Sequence, residues 1–292
     1  TAAISAMVLN FDLPLAALHQ VMFGGADKFA LLAVPFFIYA GELMNRGGIA
    51  DRLVSWVLTA VGHLRGSLGL TVIGTATIMG AISGSSPATV AASGRLLHPA
   101  LIEKGYSRKF SAGIITSSGS IAIVIPPSIA MILYGAAAEQ SIPKLFLAGI
   151  LPGLLIAGLG ALYVIYYARR ENIREAQGFN KRELWIKTRS SLAALLMPVI
   201  VLGGIYSGIF SPTEAAGIAC IYAILVTRLL FKEMTWRDIL SAATDAAVLT
   251  AQIMIIVAAA GLFSWLLTVG LIPQQLSKML IDAQMPVWAF LL

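Results

Sequence analysis

Two short runs of small and polar residues interrupt an otherwise apolar sequence. Residues 82–87 read ISGSSP, and residues 117–128 read SSGSIAIVIPPS. Bilayer hydrocarbon supplies no water for free backbone N–H and C=O groups, so a broken helix is tolerated there only where it lines a protein-enclosed or wet site. Two such breaks, about thirty residues apart, therefore predict a polar site built from opened backbone at membrane depth.

The side chains at these runs are hydroxyls without formal charge. They are Ser83, Ser85, Ser86 and Thr89 at the first run, and Thr116, Ser117, Ser118, Ser120 and Ser128 at the second. Neutral oxygens suit a Na⁺ ion that is released in every cycle better than a tightly held Ca²⁺, which prefers carboxylates. The N-terminus of a returning half-helix suits an anionic group. Close helix packing is the competing interpretation, because Gly80 and Gly84 form a small-xxx-small pattern.

The composition places these runs in a membrane. Hydrophobic residues make up 58% of the 292, charged residues 12%, and the mean hydropathy is +0.86. Soluble domains carry roughly 25% charged residues, so the sequence predicts an all-α polytopic membrane protein with a re-entrant helical hairpin and a broken helix. The net charge of +6 is scattered over short loops, which argues against nucleic-acid binding. The single cysteine, Cys220, excludes an internal disulfide framework.

The apolar runs predict a series of elements along one polytopic unit. A span and an interfacial amphipathic helix occupy 29–65, and a polar loop occupies 98–109. A transport-type region at 66–138 contains a re-entrant hairpin at 68–97 and a helix at 110–138 that opens at 117–120 and again at 126–127. Further spans fill 145–292, with a cytoplasmic loop at 169–189, an interfacial stretch at 236–245 and a span at 248–269. Residues 1–23 and 286–292 resemble partial spans, so we expect a truncated piece of a longer protein.

The distribution of positive charge favours the hairpin over a full crossing. If 68–97 is re-entrant, the loops at 46–65, 95–109, 169–189 and 228–237 share one face. Those loops carry 17 of the 20 Lys and Arg residues. A full crossing would put the first two loops on opposite faces, so the bias predicts a hairpin that enters from a basic, cytoplasmic face. Glu42, near the end of a span, is interpreted as a solvated charge at the membrane interface, with a gating or scaffold contact as the alternative. Asp245, at the end of an interfacial stretch, is interpreted as facing water.

Two other functional classes compete with a transporter. An intramembrane serine protease places its serine in a glycine-rich helix start, as Ser83 is here, but it needs a histidine base in a partner span. His19, His63 and His98 are all predicted to fall in loops or at helix ends, and none in the middle of a span. A channel with a re-entrant selectivity loop is the other class, although two different breaks in one chain favour an internal alternating-access site. The chain is therefore not expected to be an enzyme.

Five segments resemble the large membrane subunit of the tripartite ATP-independent periplasmic (TRAP) transporters. They are FIYAGELMNRGGIA at 37–50, GAISGSS at 80–86, SGSIAIVIPPSIAMILYG at 118–135, LFLAGILPG at 145–153 and PTEAAG at 212–217. The likeness extends over nearly the whole chain. The element with IPPS followed by YG is its most specific part.

The resemblance implies Na⁺-coupled, elevator-type import of a small organic acid, such as a C4-dicarboxylate, sialic acid or another sugar acid, across the bacterial inner membrane. It implies a periplasmic substrate-binding protein and a small four-helix membrane subunit, separate or fused, as partners beside membrane lipid. No organic cofactor is expected. The resemblance implies Na⁺ ligands at Ser83, Gly84, Ser85, Ser118, Gly119 and Ser120, and substrate contacts at Ser86, Pro87, Thr89, Pro127 and Ser128. A second hairpin and the opposing half of the site are expected to lie outside this chain.

Overall fold

The computed structural model describes residues 15–173, 178 and 180–283. Helices and turns make up these ranges, and they contain no β-strand. The helices are α1 (Leu15–Ala26), α2 (Ala33–Arg46), α3 (Ile49–Val61), α4 (Ser67–Ser83), α5 (Ser86–Glu103), α6 (Arg108–Val124), α7 (Ile129–Ala137), α8 (Ile142–Arg170), α9 (Lys181–Tyr206), α10 (Pro212–Ile224), α11 (Trp236–Val269) and α12 (Ile272–Asp282). A 3₁₀ turn at Phe29–Leu32 precedes α2, and a π-helical turn at Leu225–Leu230 extends α10.

The predicted all-α polytopic class is confirmed. Within the described ranges, four helices are long and apolar enough to cross a membrane: α8, α9, α10 with its π turn, and α11. The count rises to six if two bent helix pairs are each a broken span. One of these pairs is α6 and α7, which meet at an angle of 44°. Of the partial span predicted at 1–23, residues 1–14 lie outside the described residues and the rest belongs to α1; the partial span predicted at 286–292 also lies outside them.

Helix α4 is the centre of the larger of two compact units, residues 29–250. It packs against α2, α3, α5, α6, α8 and α9. Its sequence is apolar on every side and most of its side chains are buried, as expected of a helix surrounded by protein. Because α4 has neighbours on all sides, the segment that follows its last residue is held within the protein.

Helices α4 and α5 form an antiparallel hairpin. They pack against one another and are joined by only two residues, Gly84 and Ser85. Leu97 and Leu101, late in α5, lie in the same buried cluster as Leu68 at the start of α4. The predicted position of the turn is therefore correct. Whether the hairpin enters and leaves the membrane through one face stays a prediction.

Three predicted boundaries are wrong. The predicted polar loop at 98–109 is mostly helix, because α5 continues to Glu103 and leaves only four residues before α6. The loop predicted at 169–189 is shorter, since α9 already begins at Lys181. The separate interfacial stretch predicted at 236–245 is the first part of the continuous helix α11. In the first two cases polar residues at a helix end were interpreted as a loop; whether 236–245 lies at a membrane interface stays a prediction.

The amphipathic helix predicted after the first span is present as α3. Its buried residues, Ile49, Ala50, Leu53, Val54 and Val57, recur at helical spacing. This face packs against α4 and α9. The position of α3 at a membrane interface stays a prediction.

The smaller unit comprises residues 1–28 and 251–292. In its described part, α1 packs against the second half of α11. A Cβ atom built on Gly25 would lie 3.4 Å from the Cα of Gly261, so the two helix backbones approach closely. Small residues at a crossing are typical of helix packing in membranes, where van der Waals contact drives association.

Candidate functional site

The hairpin turn is built from four consecutive residues. Helix α4 ends at Ser83, and Gly84 adopts a left-handed conformation with φ of +58°. Ser85 is the N-cap of α5, and its hydroxyl accepts a hydrogen bond of 3.5 Å from the backbone N–H of Ala88. Pro87 lies in the first turn of α5, where its missing N–H leaves no hydrogen bond unmade. The sequence ISGSSP is therefore suited to stopping one helix and starting the next within two residues.

Two hydroxyls brace this turn from inside. The Ser83 hydroxyl donates to the Met79 carbonyl at 3.2 Å and accepts from the backbone N–H of Ser85 at 3.4 Å. The Thr89 hydroxyl donates to the Ser85 carbonyl at 2.9 Å. Ser83 is 1% exposed and Thr89 is 0% exposed. These side chains thus fix the backbone of the turn.

The second break separates α6 from α7. Helix α6 ends at Val124, Ile125 is extended, and the Pro126–Pro127 peptide bond is cis. Ser128 is the N-cap of α7, and its hydroxyl accepts from the Met131 N–H at 3.4 Å. Since proline has no N–H, the helix hydrogen-bond ladder cannot continue through this point.

The structure brings the two breaks into direct contact. A Cβ atom built on Gly84 would overlap the Pro127 carbonyl oxygen and lie 3.1 Å from the Cα of Ser128. On the other side of the turn, a Cβ atom on Gly41 of α2 would lie 2.7 Å from the Cβ of Ser83. The hairpin turn is therefore enclosed between α2 and the α6–α7 break, with main chain against main chain.

The predicted opening of α6 at 117–120 is wrong. Helix α6 is continuous from Arg108 to Val124. The hydroxyls of Ser117, Ser118 and Ser120 donate to the carbonyls of the residues three positions earlier, at 3.2, 2.7 and 2.7 Å. Serine can bond back to its own helix in this way, so a run of serines and glycine need not open the backbone in apolar surroundings.

Glycines bring α6 against both arms of the hairpin. A Cβ atom on Gly119 would lie 2.5 Å from the Ser86 hydroxyl oxygen. A Cβ atom on Gly80 would lie 2.6 Å from the Cα of Ala122. The structure therefore unites the two sequence runs through Ser86 and Gly119 as well as through Gly84.

The eleven predicted site residues do not all share one pocket. Gly84, Pro127 and Ser128 meet at the turn, and Ser86 meets Gly119 beside it. Ser118 and Ser120 instead line a groove between α6 and α8, a groove that none of residues 83–89 lines. Ser118 is fully buried, whereas Ser120 is exposed. Their roles as Na⁺ ligands stay predictions.

Four helix ends converge where the breaks meet. The C-termini of α4 and α6 leave backbone carbonyls without helical partners, and the N-termini of α5 and α7 leave N–H groups. Carbonyl ends carry a partial negative charge suited to a cation, and N–H ends carry a partial positive charge suited to an anion. No group of three His, Cys, Asp or Glu side chains in the described ranges could hold a metal ion. A cation at this point would therefore meet only neutral oxygens.

Sequence reasoning missed the role of Gly41, whereas Gly80 packs closely against α6 as its small-xxx-small pattern with Gly84 indicates. Gly41 lies in α2, more than forty residues before the turn that it contacts. The signal was available, because Gly41 is a glycine inside a helix, where it costs about 1 kcal/mol relative to alanine. A close approach of two backbones is the physical reason to accept that cost.

Charged residues of α2 and α3 form ion pairs with residues distant in the sequence. Arg46 bonds to Glu42 at 2.7 Å and also to Asp245. Arg52 bonds to Glu233 at 2.5 Å and lies over the Phe231 ring, 3.8 Å from its centroid. Asp245 is exposed, as predicted for a residue that faces water, whereas Glu42 is only partly exposed and makes the scaffold contact that was the alternative to solvation. These pairs tie the α2–α3 corner to the chain around the start of α11.

Long apolar helices and a helical hairpin packed against a broken helix define the chain as an all-α polytopic membrane protein. A family model described as the tripartite ATP-independent periplasmic transporter, DctM component, matches residues 1–292. The chain therefore belongs to this family of TRAP transporter large permeases, as the sequence resemblance had predicted.

Three curated relatives indicate the range of the family. The C4-dicarboxylate TRAP transporter large permease DctM of Rhodobacter capsulatus is 36% identical over 96% of this chain and 67% of its own length. The 2,3-diketo-L-gulonate large permease YiaN of Escherichia coli is 40% identical over 92% of this chain and 63% of its own length. The isethionate permease DctMQ of Oleidesulfovibrio alaskensis is 37% identical over 95% of this chain and 44% of its own length. The chain thus spans at most about two-thirds of these relatives, all named as transporter permeases.

Proposed function

We propose that this chain is part of a permease that couples the entry of Na⁺ to the import of a small organic acid across the bacterial inner membrane. The contact between the hairpin turn and the α6–α7 break is the observation that carries the proposal. Discontinuous helices that meet near the middle of a membrane are the usual binding elements of secondary transporters.

The cation would lie where the C-termini of α4 and α6 face each other. Backbone carbonyls and the hydroxyls of Ser83 and Ser85 are hard, neutral oxygens. Such ligands suit a monovalent ion that binds and leaves in every cycle, since they do not add the carboxylate charges that hold Ca²⁺ tightly. In this proposal Na⁺ is a co-transported substrate and not a resident cofactor.

The organic acid would use the N-terminal ends of α5 and α7. Ser86 begins α5 and Ser128 caps α7, so free N–H groups and a favourable dipole are available to an anionic group. The named substrates of relatives support this chemistry: C4-dicarboxylate, diketogulonate and isethionate each carry a carboxylate or a sulfonate. Which acid this chain carries, sialic acid included, would be decided by uptake measurements.

The proposed partners follow from the family description. A tripartite periplasmic transporter would comprise this permease, a periplasmic binding protein that delivers the acid, and a small membrane subunit. The name DctMQ of one relative supports the view that the small subunit can be fused to the large one. In the proposed elevator movement, the hairpin and α6 would carry the site past the helices around it.

Reconstitution of the complete transporter tests this proposal. Uptake of a radiolabelled organic acid by proteoliposomes, with its binding protein outside, should saturate and should require a Na⁺ gradient. Ser85→Ala should raise the Na⁺ concentration for half-maximal uptake about tenfold, the effect of losing about 1.4 kcal/mol of binding free energy.

A matched control separates ligand loss from helix capping. Ser85 and Ser211 are both N-caps whose hydroxyls accept from a backbone N–H, so each alanine variant loses about 1 kcal/mol of capping. Ser211→Ala should keep the wild-type Na⁺ dependence. Equal Na⁺ dependence in the two variants would remove Ser85 from the site, and uptake that neither saturates nor needs Na⁺ would favour a channel.

A further inference from the structure

A groove of about 680 Å³ runs between α6 and α8, on the side of α6 away from the hairpin turn. Ile73 of α4 is one of its lining residues. Glycines create the space, because Gly113 of α6 has no atom within 4 Å of the position where its Cβ would be. A Cβ on Gly160 of α8 would lie 3.0 Å from the Cδ1 of Ile73. The groove therefore has open space beside Gly113, and Ile73 forms part of its apolar floor.

One end of the groove is polar and cationic. Lys109 lines it together with Ser107 and Tyr167, whose hydroxyls share a hydrogen bond of 3.1 Å. The Tyr167 ring stacks on Phe110 with centroids 3.7 Å apart, which holds the phenol in place. An ammonium group beside two ordered hydroxyls is a suitable partner for a phosphate oxygen.

The surroundings of this end attract anions. Exposed cations flank it on both helices: Lys104, Arg108 and Lys109 before and in α6, and Arg169 and Arg170 at the end of α8. Only Glu103 and Glu171 oppose them within the same two stretches, 103–109 and 169–171. Both stretches belong to the basic face that the charge distribution predicts to be cytoplasmic, and that leaflet carries the anionic lipids.

The length of the groove matches one leaflet. From Lys109 to Ile121, which lines the far part, twelve residues at 1.5 Å each give about 18 Å. Half of the hydrocarbon thickness is about 15 Å. The outer wall also suits lipid, because Leu155, Leu159 and Leu162 of α8 are 58%, 59% and 64% exposed.

The deep part of the groove offers little to a small polar solute. The hydroxyls of Ser117, Ser118 and Ser120 already donate to helix carbonyls. Ile114, Ile121 and Ile156 supply apolar walls beside them. A solute with several hydrogen-bonding groups would lose solvation there without gaining partners, whereas an acyl chain would not.

We propose that the groove binds one anionic phospholipid of the cytoplasmic leaflet. Its acyl chain lies between α6 and α8 against Ile73, and its phosphate contacts Lys109, Ser107 and Tyr167. The bound acyl chain fills the open space beside Gly113 and so completes the packing between the two helices.

Native mass spectrometry of the complete transporter in neutral detergent tests the headgroup contact. We expect one phosphatidylglycerol to be retained in preference to phosphatidylcholine of the same chain length. Lys109→Gln should reduce that preference about five-fold, the effect of removing one cation near an anionic lipid. Lys181→Gln, which removes an exposed cation at the start of α9, should leave it unchanged. Equal preference in the two variants would overturn the proposal.

The contact with the lipid's acyl chain is tested by filling the groove with a larger side chain. Gly113→Leu should abolish retention of both lipids, whereas Gly158→Leu should not, since Gly158 also has open space around its Cβ position but does not line the groove. Retention in both leucine variants would overturn the proposal. Displacement of the lipid by millimolar inorganic phosphate would assign the site to a free anion, and displacement by an organic acid such as succinate would assign it to cargo; either would also overturn it.

Discussion

Gly84→Ala is the sharpest perturbation of the contact between the two breaks. The substitution has two separate costs. Gly84 has φ of +58°, and alanine in the left-handed region costs about 1–2 kcal/mol. Its methyl group would also overlap the Pro127 carbonyl oxygen, so the hairpin turn and the α6–α7 break would have to move apart.

The second cost decides the functional outcome. Overpacking of this kind typically costs a further 1–3 kcal/mol, and the overlap requires a displacement of about 1 Å to restore van der Waals separation. Misplacing a binding group by about 1 Å can reduce turnover about 100-fold. We therefore expect Gly84→Ala to lower the initial rate of Na⁺-driven uptake in proteoliposomes by about two orders of magnitude.

Gly208→Ala is the control that measures the cost of the left-handed backbone conformation alone. Gly208 has φ of +74° in the turn between α9 and α10, and nothing lies within 4 Å of its Cβ position. It therefore carries the same left-handed cost without the overlap, and its uptake should stay within about two-fold of wild type. Thermal unfolding of both purified variants checks that each is folded. Near-wild-type uptake by a folded Gly84→Ala would refute the close contact between the turn and the break.

Three other predictions concern packing, topology and stability. Gly119→Ala gains about 1 kcal/mol of helix propensity but pushes α6 away from Ser86, so it should weaken the Na⁺ dependence of uptake. Gly203→Ala on α9, with open space around it, should not. Equal Na⁺ dependence in the two variants would argue against the α5–α6 contact. In a Cys220→Ser background, a single cysteine that replaces the exposed Arg65 or Lys104 should react with a membrane-impermeant maleimide from the same side of the membrane. Labelling from opposite sides would exclude a re-entrant hairpin. Arg52→Gln removes the 2.5 Å ion pair with Glu233 and the contact with Phe231. It should lower the melting temperature more than Arg170→Gln, which removes only an exposed 3.9 Å ion pair. Equal melting temperatures would mean that the α2–α3 corner contributes no stability.

Local chemistry explains why the turn was predictable. A left-handed glycine, a serine N-cap and a proline in the first helical turn each have a preferred position, and ISGSSP supplies them in the right order. The proline pair at 126–127 is equally unambiguous, because two residues without N–H groups must interrupt a helix. Both breaks therefore depend on residues within a few positions of one another.

The remaining features depend on partners that are distant in the sequence. Ser117, Ser118 and Ser120 stay helical because each hydroxyl bonds back to its own helix, an outcome that composition alone does not distinguish from a break. Asp245 remains within a continuous α11, and its partner is Arg46, 199 residues earlier. Gly41 and its contact with Ser83 are likewise a long-range pair. No local pattern specifies which distant groups will meet.

The glycine contacts around the hairpin also constrain how the protein can change during evolution. At Gly41, Gly80 and Gly119 a single methyl group would lie within 2.7 Å of a neighbouring atom, and at Gly84 it would overlap a carbonyl oxygen. The main-chain part of the proposed site cannot be retuned by exchanging residues, because every residue type supplies the same carbonyl. Under the proposed function, new cargo specificities would therefore arise at side chains in and next to the turn, while the geometry that positions the backbone is inherited unaltered.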